Sequence, residues 1–411
     1  MHVVIFEGSR WPSFAPLSLS RPVFMLRSGL STLLEKHIRW MKPTRLTLWV
    51  RPGLADWCRR EIAPKVPVPC AVNEPLDDEP AVLVSGRTVH FGAFDRPEGP
   101  AVCVDEGDLI RAALVHAPGL SADDCMRRTD AWMRILDLPR YTTTARLPSY
   151  LWDLIAWNEE SIVADAGALE NPVTAHAAGP YHMVNDKAVF IAADVTLEPG
   201  CVLDATKGPI VLENAATIGA NAVLKGPCCV GRNSQVMPLS FIRPGTSVGP
   251  NCRVGGEVSN SIFVANSNKG HDGFVGDSYI GEWVNFGAGT NTSNLKNTYG
   301  QIRVRIGHKE IQTDRRFLGA LVGDHSKTGI GTRLTSGSYV GFCSMIAASG
   351  IPSSFTSSFS FVTDKGTERY RLDKAREVMS QVYARRGRTW SDGDEFILRY
   401  ASDTSQLVEK S

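Results

Sequence analysis

The chain has almost no excess of charge of either sign. Its 44 Lys and Arg stand against 43 Asp and Glu, a formal net charge of +1. A near-neutral chain has no electrostatic reason to seek nucleic acid or an anionic membrane, so neither is an expected partner. Basic pairs such as Arg315-Arg316 and Arg385-Arg386 are short and read as solvated helix ends or loops. Long apolar runs are also missing. No stretch of ~18 apolar residues occurs, which argues against a membrane-spanning helix. Residues 1–6, Met-His-Val-Val-Ile-Phe, have no basic n-region and no extended apolar core. They read as a buried strand rather than a signal peptide, and the expected location is cytoplasmic. The nine cysteines include no Cys-x-x-Cys pair, which fits reduced thiols. No cluster has metal-ligand spacing: His90, His116 and His182 stand singly.

At 411 residues the chain is too long for one ordinary core, so two or three domains are expected. In residues 1–147, short apolar runs at 3–6, 46–50, 81–84 and 101–104 read as strands. Leu30, Leu33, Leu34, His37, Ile38 and Met41 recur at helical spacing, and Leu109, Ile110, Ala113 and Leu114 read the same way. Strands alternating with helices argue for an α/β domain with a mainly parallel sheet covered on both faces. Residues 148–185 read as a connector. One amphipathic helix over 148–164 carries Leu151, Leu154, Ile155, Asn158 and Ile162 on a shared face, and a loop rich in Ala, Gly and Pro follows.

Residues 186–361 repeat. Leu212, Ile218, Leu224, Val230, Val236, Ile242, Val248 and Val254 fall six apart. Ile191, Leu197 and Leu203 form an earlier run. Phe274, Ile280 and Phe286 form another, and Val322, Thr328, Leu334, Val340 and Ile346 a fourth. Residues six apart lie about 240° from each other around an α-helix, so no helical stripe forms. A short strand plus a tight turn, three times per coil, places one aliphatic per hexad inside a triangular prism, with small residues at the corners. This period predicts an all-β, left-handed parallel β-helix of hexapeptide repeats. The register fails at 255–273 and at 291–320, where loops on the flank are expected. Over 362–411, Leu372, Ala375, Met379 and Val382 predict one helix that packs back on the prism.

The first interruption carries Lys269-Gly270-His271, then Gly276-Asp277-Ser278-Tyr279-Ile280-Gly281, then Asn285-Phe286-Gly287-Ala288-Gly289-Thr290, then Asn294. An Arg-Pro-Gly lies upstream at residues 243–245. This succession resembles the acetyltransferase domain of the bacterial bifunctional UDP-N-acetylglucosamine diphosphorylase/glucosamine-1-phosphate N-acetyltransferase family. The resemblance implies that an aminosugar amine attacks the thioester of acetyl-CoA. His271 would be general base, a role suited to an imidazole. It further implies that Asn294 holds the substrate or acetyl group, Arg243 grips the sugar phosphate, Asn285 contacts the sugar and the Ala288 backbone meets acetyl-CoA. In that family the site lies between prisms of a homotrimer. Two features depart from it: Phe274 replaces an aromatic hydroxyl, and Ser259 and Ser261 fall near the family's lysines. His325 is a second candidate histidine.

The N-terminal part resembles a divergent sugar-nucleotidyltransferase branch fused to such β-helices. The resemblance rests on Phe6-Glu7-Gly8-Ser9-Arg10 and on Ser20-Arg21-Pro22 through Arg27-Ser28-Gly29. It implies that Arg10, Arg21 and Arg27 face phosphates and that Gly8 and Gly29 permit close backbone approach. Where the family ends a strand with a magnesium aspartate, this chain has Ser85-Gly86-Arg87, so Mg²⁺ would need another carboxylate such as Asp105 or Glu106. The expected function is sugar-nucleotide biosynthesis: acetylation of an aminosugar phosphate, with nucleotidyl transfer from an NTP to a sugar 1-phosphate as a second activity. Two rivals stay open: a single-activity transferase whose other domain is degenerate, and a non-catalytic trimeric scaffold.

Overall fold

The computed structural model describes residues 1–93, 97, 99–169 and 179–410. The N-terminal sheet contains β1 (His2–Phe6), β2 (Arg45–Trp49), β3 (Cys70–Val72), β4 (Ala81–Ser85), β5 (Ala101–Asp105) and β6 (Asp108–Val115), in spatial order β3-β2-β1-β4-β6-β5. The first four strands run parallel, and β6 is antiparallel to β4 and β5. Both faces are covered. Val3 and Ile5 pack with residues of α1 (Leu33–Met41) and α2 (Ala55–Glu61). Val4 and Phe6 pack with residues of α3 (Ala122–Arg127) and α4 (Asp130–Leu136). The helix expected around Leu109 and Ala113 is instead strand β6. A strand buried on both faces is apolar at nearly every position, so spacing alone mimics a helix there.

The connector is two helices rather than one. α5 (Leu151–Ala156) and α6 (Asn158–Gly167) meet at Trp157, whose φ of −99° and ψ of 4° leave the helical range. Leu151, Leu154, Ile155, Asn158 and Ile162 are all buried, as the shared face requires. The Ala/Gly/Pro-rich loop falls largely on residues 170–178, outside the described residues.

Three parallel sheets wind the following segment into a prism. The first face stacks nine strands, from Val189–Ile191 to Phe355–Thr356. The second face begins at Thr196–Leu197 and reaches Asn268–Lys269, and the third runs from His182–Val184 to Phe274–Gly276. All eight in-phase aliphatics from Leu212 to Val254 lie in one continuous core. Each contributes about 1.5–3 kcal/mol by leaving water. Residues 255–273 are not a flanking loop. Val258 and Phe263 carry the core onward with shortened corners, so the coil continues while the hexad spacing slips. The slip also makes Val275, not Phe274, the inward residue of its coil. The second interruption does leave the prism: a hairpin, Arg303–Ile306 with Lys309–Gln312, buries Ile302, Val304 and Ile306 with Trp152 and Ile155 of α5.

The tail forms two helices where one was expected, α7 (Leu372–Arg385) and α8 (Asp392–Glu409). α7 buries Ala375, Met379 and Tyr383, and Val382 stays half-exposed. α8 ties both domains together. Its Tyr400 hydroxyl accepts from Arg51 Nε at 2.7 Å, and its Glu409 accepts from the Tyr339 hydroxyl at 2.9 Å and the Ser358 amide at 2.8 Å.

The seam between the domains is buried and mixed: Leu17, Leu19 and Leu26 pack with Ile262 and Leu321 of the prism, and Leu30 and Ile162 with Val211, around a set of polar contacts. Arg21 donates to Glu282 at 2.7 Å and to Asp324 at 2.5 Å. Asn158 donates to the Gly245 carbonyl at 2.7 Å and accepts from the Gly29 amide at 2.7 Å. The Tyr279 hydroxyl bridges the Arg27 carbonyl and amide.

Candidate functional site

His271 occupies the corner between the second and third faces. The turn that carries it is held by a residue whose role the sequence reading missed. Lys269 takes an inward prism position, 2% exposed, and its ammonium donates to the carbonyls of Gly255 (3.1 Å), His271 (2.6 Å) and Asp272 (2.8 Å). Burial pushes the Lys269 pKa down to about 8. The hexad register fails across this stretch, so spacing alone does not mark Lys269 as inward; its pairing with Val254 does. The His271 ring is left exposed at the mouth of a cavity of about 370 Å³, also lined by Met237, Arg253, Asn268, Asn285, Ala288 and Arg385. The end of α7 bounds this cavity, where Arg386 donates to the Asn268 side chain at 2.8 Å.

Three of the predicted residues, His271, Asn285 and Ala288, therefore share one cavity. Arg243 and Asn294 do not join them: Arg243 follows a strand of the third face, at its corner with the first, and Asn294 reaches Asp277 just after that face's last strand. There the Asp277 carboxylate accepts from Asn260 at 2.7 Å and Asn294 at 2.6 Å. Burial raises the Asp277 pKa, against the pull of these two amides and of Arg243. Arg243 is exposed and pairs with Glu257 at 2.9 Å. One chain thus places the two groups of predicted residues on different edges of its prism.

His325 is 5% exposed, stacked on Trp283 and within 3.4 Å of the Tyr383 hydroxyl. Burial holds it well below the usual histidine pKa. It is a packed corner residue beneath α7.

In the N-terminal domain the phosphate-facing set divides. Gly8 (φ +73°) and Arg10 line a pocket above the carboxyl ends of β1 and β4. Arg21 and Arg27 do not. The Arg21 side chain is 10% exposed and committed to Asp324 and Glu282 of the prism, and Arg27 donates to the Leu30 carbonyl beneath the seam. Gly29 is required for packing: a Cβ there would lie 2.5 Å from an Asp165 oxygen and 2.8 Å from the Ser161 carbonyl of α6. The stretch from Ser20 to Gly29 is a docking strap whose arginine and glycine spacing imitates a phosphate loop.

The pocket beside Arg10 does not suit Mg²⁺. Its carboxylates are Glu7, bound by the Arg51 guanidinium, and Asp108, which faces Arg10 at 2.7 Å, Arg87 at 2.8 Å and Arg128 at 3.2 Å. Asp105 ends β5 and Glu106 opens the turn after it; both are exposed and neither lines this pocket. Among the described residues, no group of three or more His, Cys, Asp or Glu is placed to hold a metal ion, and no helix is long and apolar enough to cross a membrane.

Fold and pockets together define a two-domain protein: an α/β domain with a mainly parallel sheet, docked on a parallel β-solenoid. Comparison with known proteins gives the particulars. Residues 3–173 match the family model described as sugar nucleotidyl transferase. The chain is 36% identical over 137 residues to the bifunctional sugar-1-phosphate nucleotidylyltransferase/acetyltransferase of Sulfurisphaera tokodaii, covering 33% of this chain and 34% of that protein. It is 38% identical over 145 residues to the bifunctional protein GlmU of Methanocaldococcus jannaschii, covering 35% of each. It is 34% identical over 193 residues to GlmU of Methanococcus aeolicus, covering 41% of this chain and 46% of that one. The matches thus span about a third to a half of these relatives. A solved UDP-N-acetylglucosamine acyltransferase from Francisella novicida aligns over 56% of this chain and 92% of its own at 11% identity, but its TM-score of 0.19 carries no argument.

Proposed function

We propose that this protein is a sugar-nucleotide biosynthesis transferase. At the prism it moves the acetyl group of acetyl-CoA to the amine of an aminosugar phosphate. At the N-terminal domain it acts on a sugar 1-phosphate and a nucleoside triphosphate. The observation that carries the first activity is the exposed His271 ring in a cavity shared with Asn285 and Ala288. The imidazole takes the proton as the amine attacks the thioester carbonyl; the C–N bond forms, the C–S bond breaks and CoA leaves as thiol. Asn285 contacts the sugar, and the Ala288 backbone meets the acetyl end.

The placement of Arg243 and Asn294 on another prism edge favours a site completed by a neighbouring copy. We infer a homotrimer in which the Arg243–Asn294 corner of one prism faces the His271 cavity of the next. The catalytic test is His271→Ala, with acetyl-CoA and glucosamine 1-phosphate as substrates. Acetyl transfer is expected to fall by roughly 10²–10⁴; an unchanged rate removes His271 from the chemistry. The assembly test mixes His271→Ala and Asn294→Ala subunits through a cycle of unfolding and refolding. Recovery of activity in the mixture supports a shared site, and its absence under conditions that restore the wild type contradicts one.

A further inference from the structure

The pocket at Arg10 lies where the sheet changes direction. From β1 the chain steps to β2 and β3 on one side, then returns to β4 on the other. The loops after β1 and β4 therefore diverge, and ligands of open α/β sheets settle in that crevice at the carboxyl ends of the strands. Here the crevice is basic. Arg10 follows β1, Arg87 follows β4, and Arg128 closes α3 with a left-handed φ of +56°. All three guanidiniums meet the single carboxylate of Asp108, leaving two positive charges without a partner in the cluster. Arg87 is 5% exposed on its side chain, whereas Arg10 and Arg128 keep 43% and 41% of theirs in water. The deep guanidinium is fixed and the outer two can turn toward a ligand. Phosphate oxygens are the natural partners of such planar donors.

We propose that Asp108 is an internal occupant of an anion site built from Arg10, Arg87 and Arg128, and that a pyrophosphate-bearing ligand displaces it without a divalent cation. The inference rests on the nucleotide half of the function proposed above and adds its chemistry: guanidinium neutralisation of the phosphates at the strand end where the family resemblance implies a metal.

The test is calorimetric titration of the full chain with inorganic pyrophosphate in EDTA, and then in Mg²⁺ without EDTA. UTP, ATP and GTP form separate arms, to distinguish free pyrophosphate from a nucleotide. Pyrophosphate is expected to bind in EDTA. Arg128→Gln and Arg10→Gln, both half-exposed and compatible with folding, should each weaken it by about 10-fold or more, the worth of a charge-assisted hydrogen bond. Asp108→Asn should tighten it, because the competing charge is gone. If these residues were merely structural, all three changes would weaken binding. Binding that requires Mg²⁺, or an Asp108→Asn variant that binds more weakly at unchanged melting temperature, overturns the proposal and leaves nucleotidyl transfer standing. Absence of pyrophosphate and nucleotide binding in both conditions overturns the proposal and the nucleotide activity together, and leaves acetyl transfer untouched.

Discussion

The prism interior and the domain seam both bury apolar side chains, yet the seam also sets ion pairs and side-chain hydrogen bonds within that packing. Along the prism, Leu212 through Val254 stack aliphatic on aliphatic, and each coil needs only its neighbours. Across the seam, Arg21, Asp324, Glu282 and Asn158 meet side chains and backbone that lie far away in sequence. Apolar stacking is tolerant of detail. Buried charges are stable only when every partner is present, so they fix one way of docking the two domains.

The largest effect that would break this contrast is loss of one seam charge. Asp324→Ala leaves Arg21 buried against Glu282 alone, and should cost about 3–5 kcal/mol in urea unfolding; a cost under about 1 kcal/mol would mean that the seam is not tightly closed. In the prism, Leu224→Ala should cost about 2–5 kcal/mol through a cavity in the core. Its loss should show in the prism's own unfolding and leave pyrophosphate binding at the N-terminal domain unaltered; coupled loss of that binding would show the domains to be one unit.

Acidity should separate the regions further. His37, His90 and His325 are buried and held below their ordinary pKa, His37 at about 3. The unfolded chain takes up protons on these rings below about pH 6.5 while the folded chain does not, so their contribution to stability is present above that pH and is lost as the pH falls. The slope is at most about 1.4 kcal/mol per pH unit for each ring. Urea midpoints compared near pH 7.5 and pH 5.5 should show it, and His325→Asn should flatten it; an unchanged slope would mean that His325 accepts protons in place. The smallest effect is the sharpest. The triple change Arg21→Met, Glu282→Gln and Asp324→Leu removes all three charges together, and should shift stability by no more than about 1–2 kcal/mol. A loss as large as that of Asp324→Ala would show that the charges, rather than their completeness, stabilise the seam.

The prism was legible in the sequence because its position in space is a periodic function of residue number. Where corners shorten, at Val258 and Phe263, periodicity fails although the fold does not, and the hexad points to Phe274 where Val275 turns inward. His271, Asn285 and Ala288 come from the family resemblance of the 269–294 motif, and successive coils bring them to one cavity. The seam was not legible. Arg10 and Arg21 look equivalent in sequence, and only tertiary contact sends one to a pocket and the other to Asp324. The buried role of Lys269 is not legible within its motif because its ammonium meets backbone carbonyls, which leave no side-chain signature.

A crystal of the wild-type protein soaked with acetyl-CoA tests the acyl-transfer account most directly. The thioester carbonyl should lie in the cavity of His271, Asn285 and Ala288, within about one water's reach of the imidazole. A thioester ordered on another face of the prism, with His271 turned to open solvent, would contradict it.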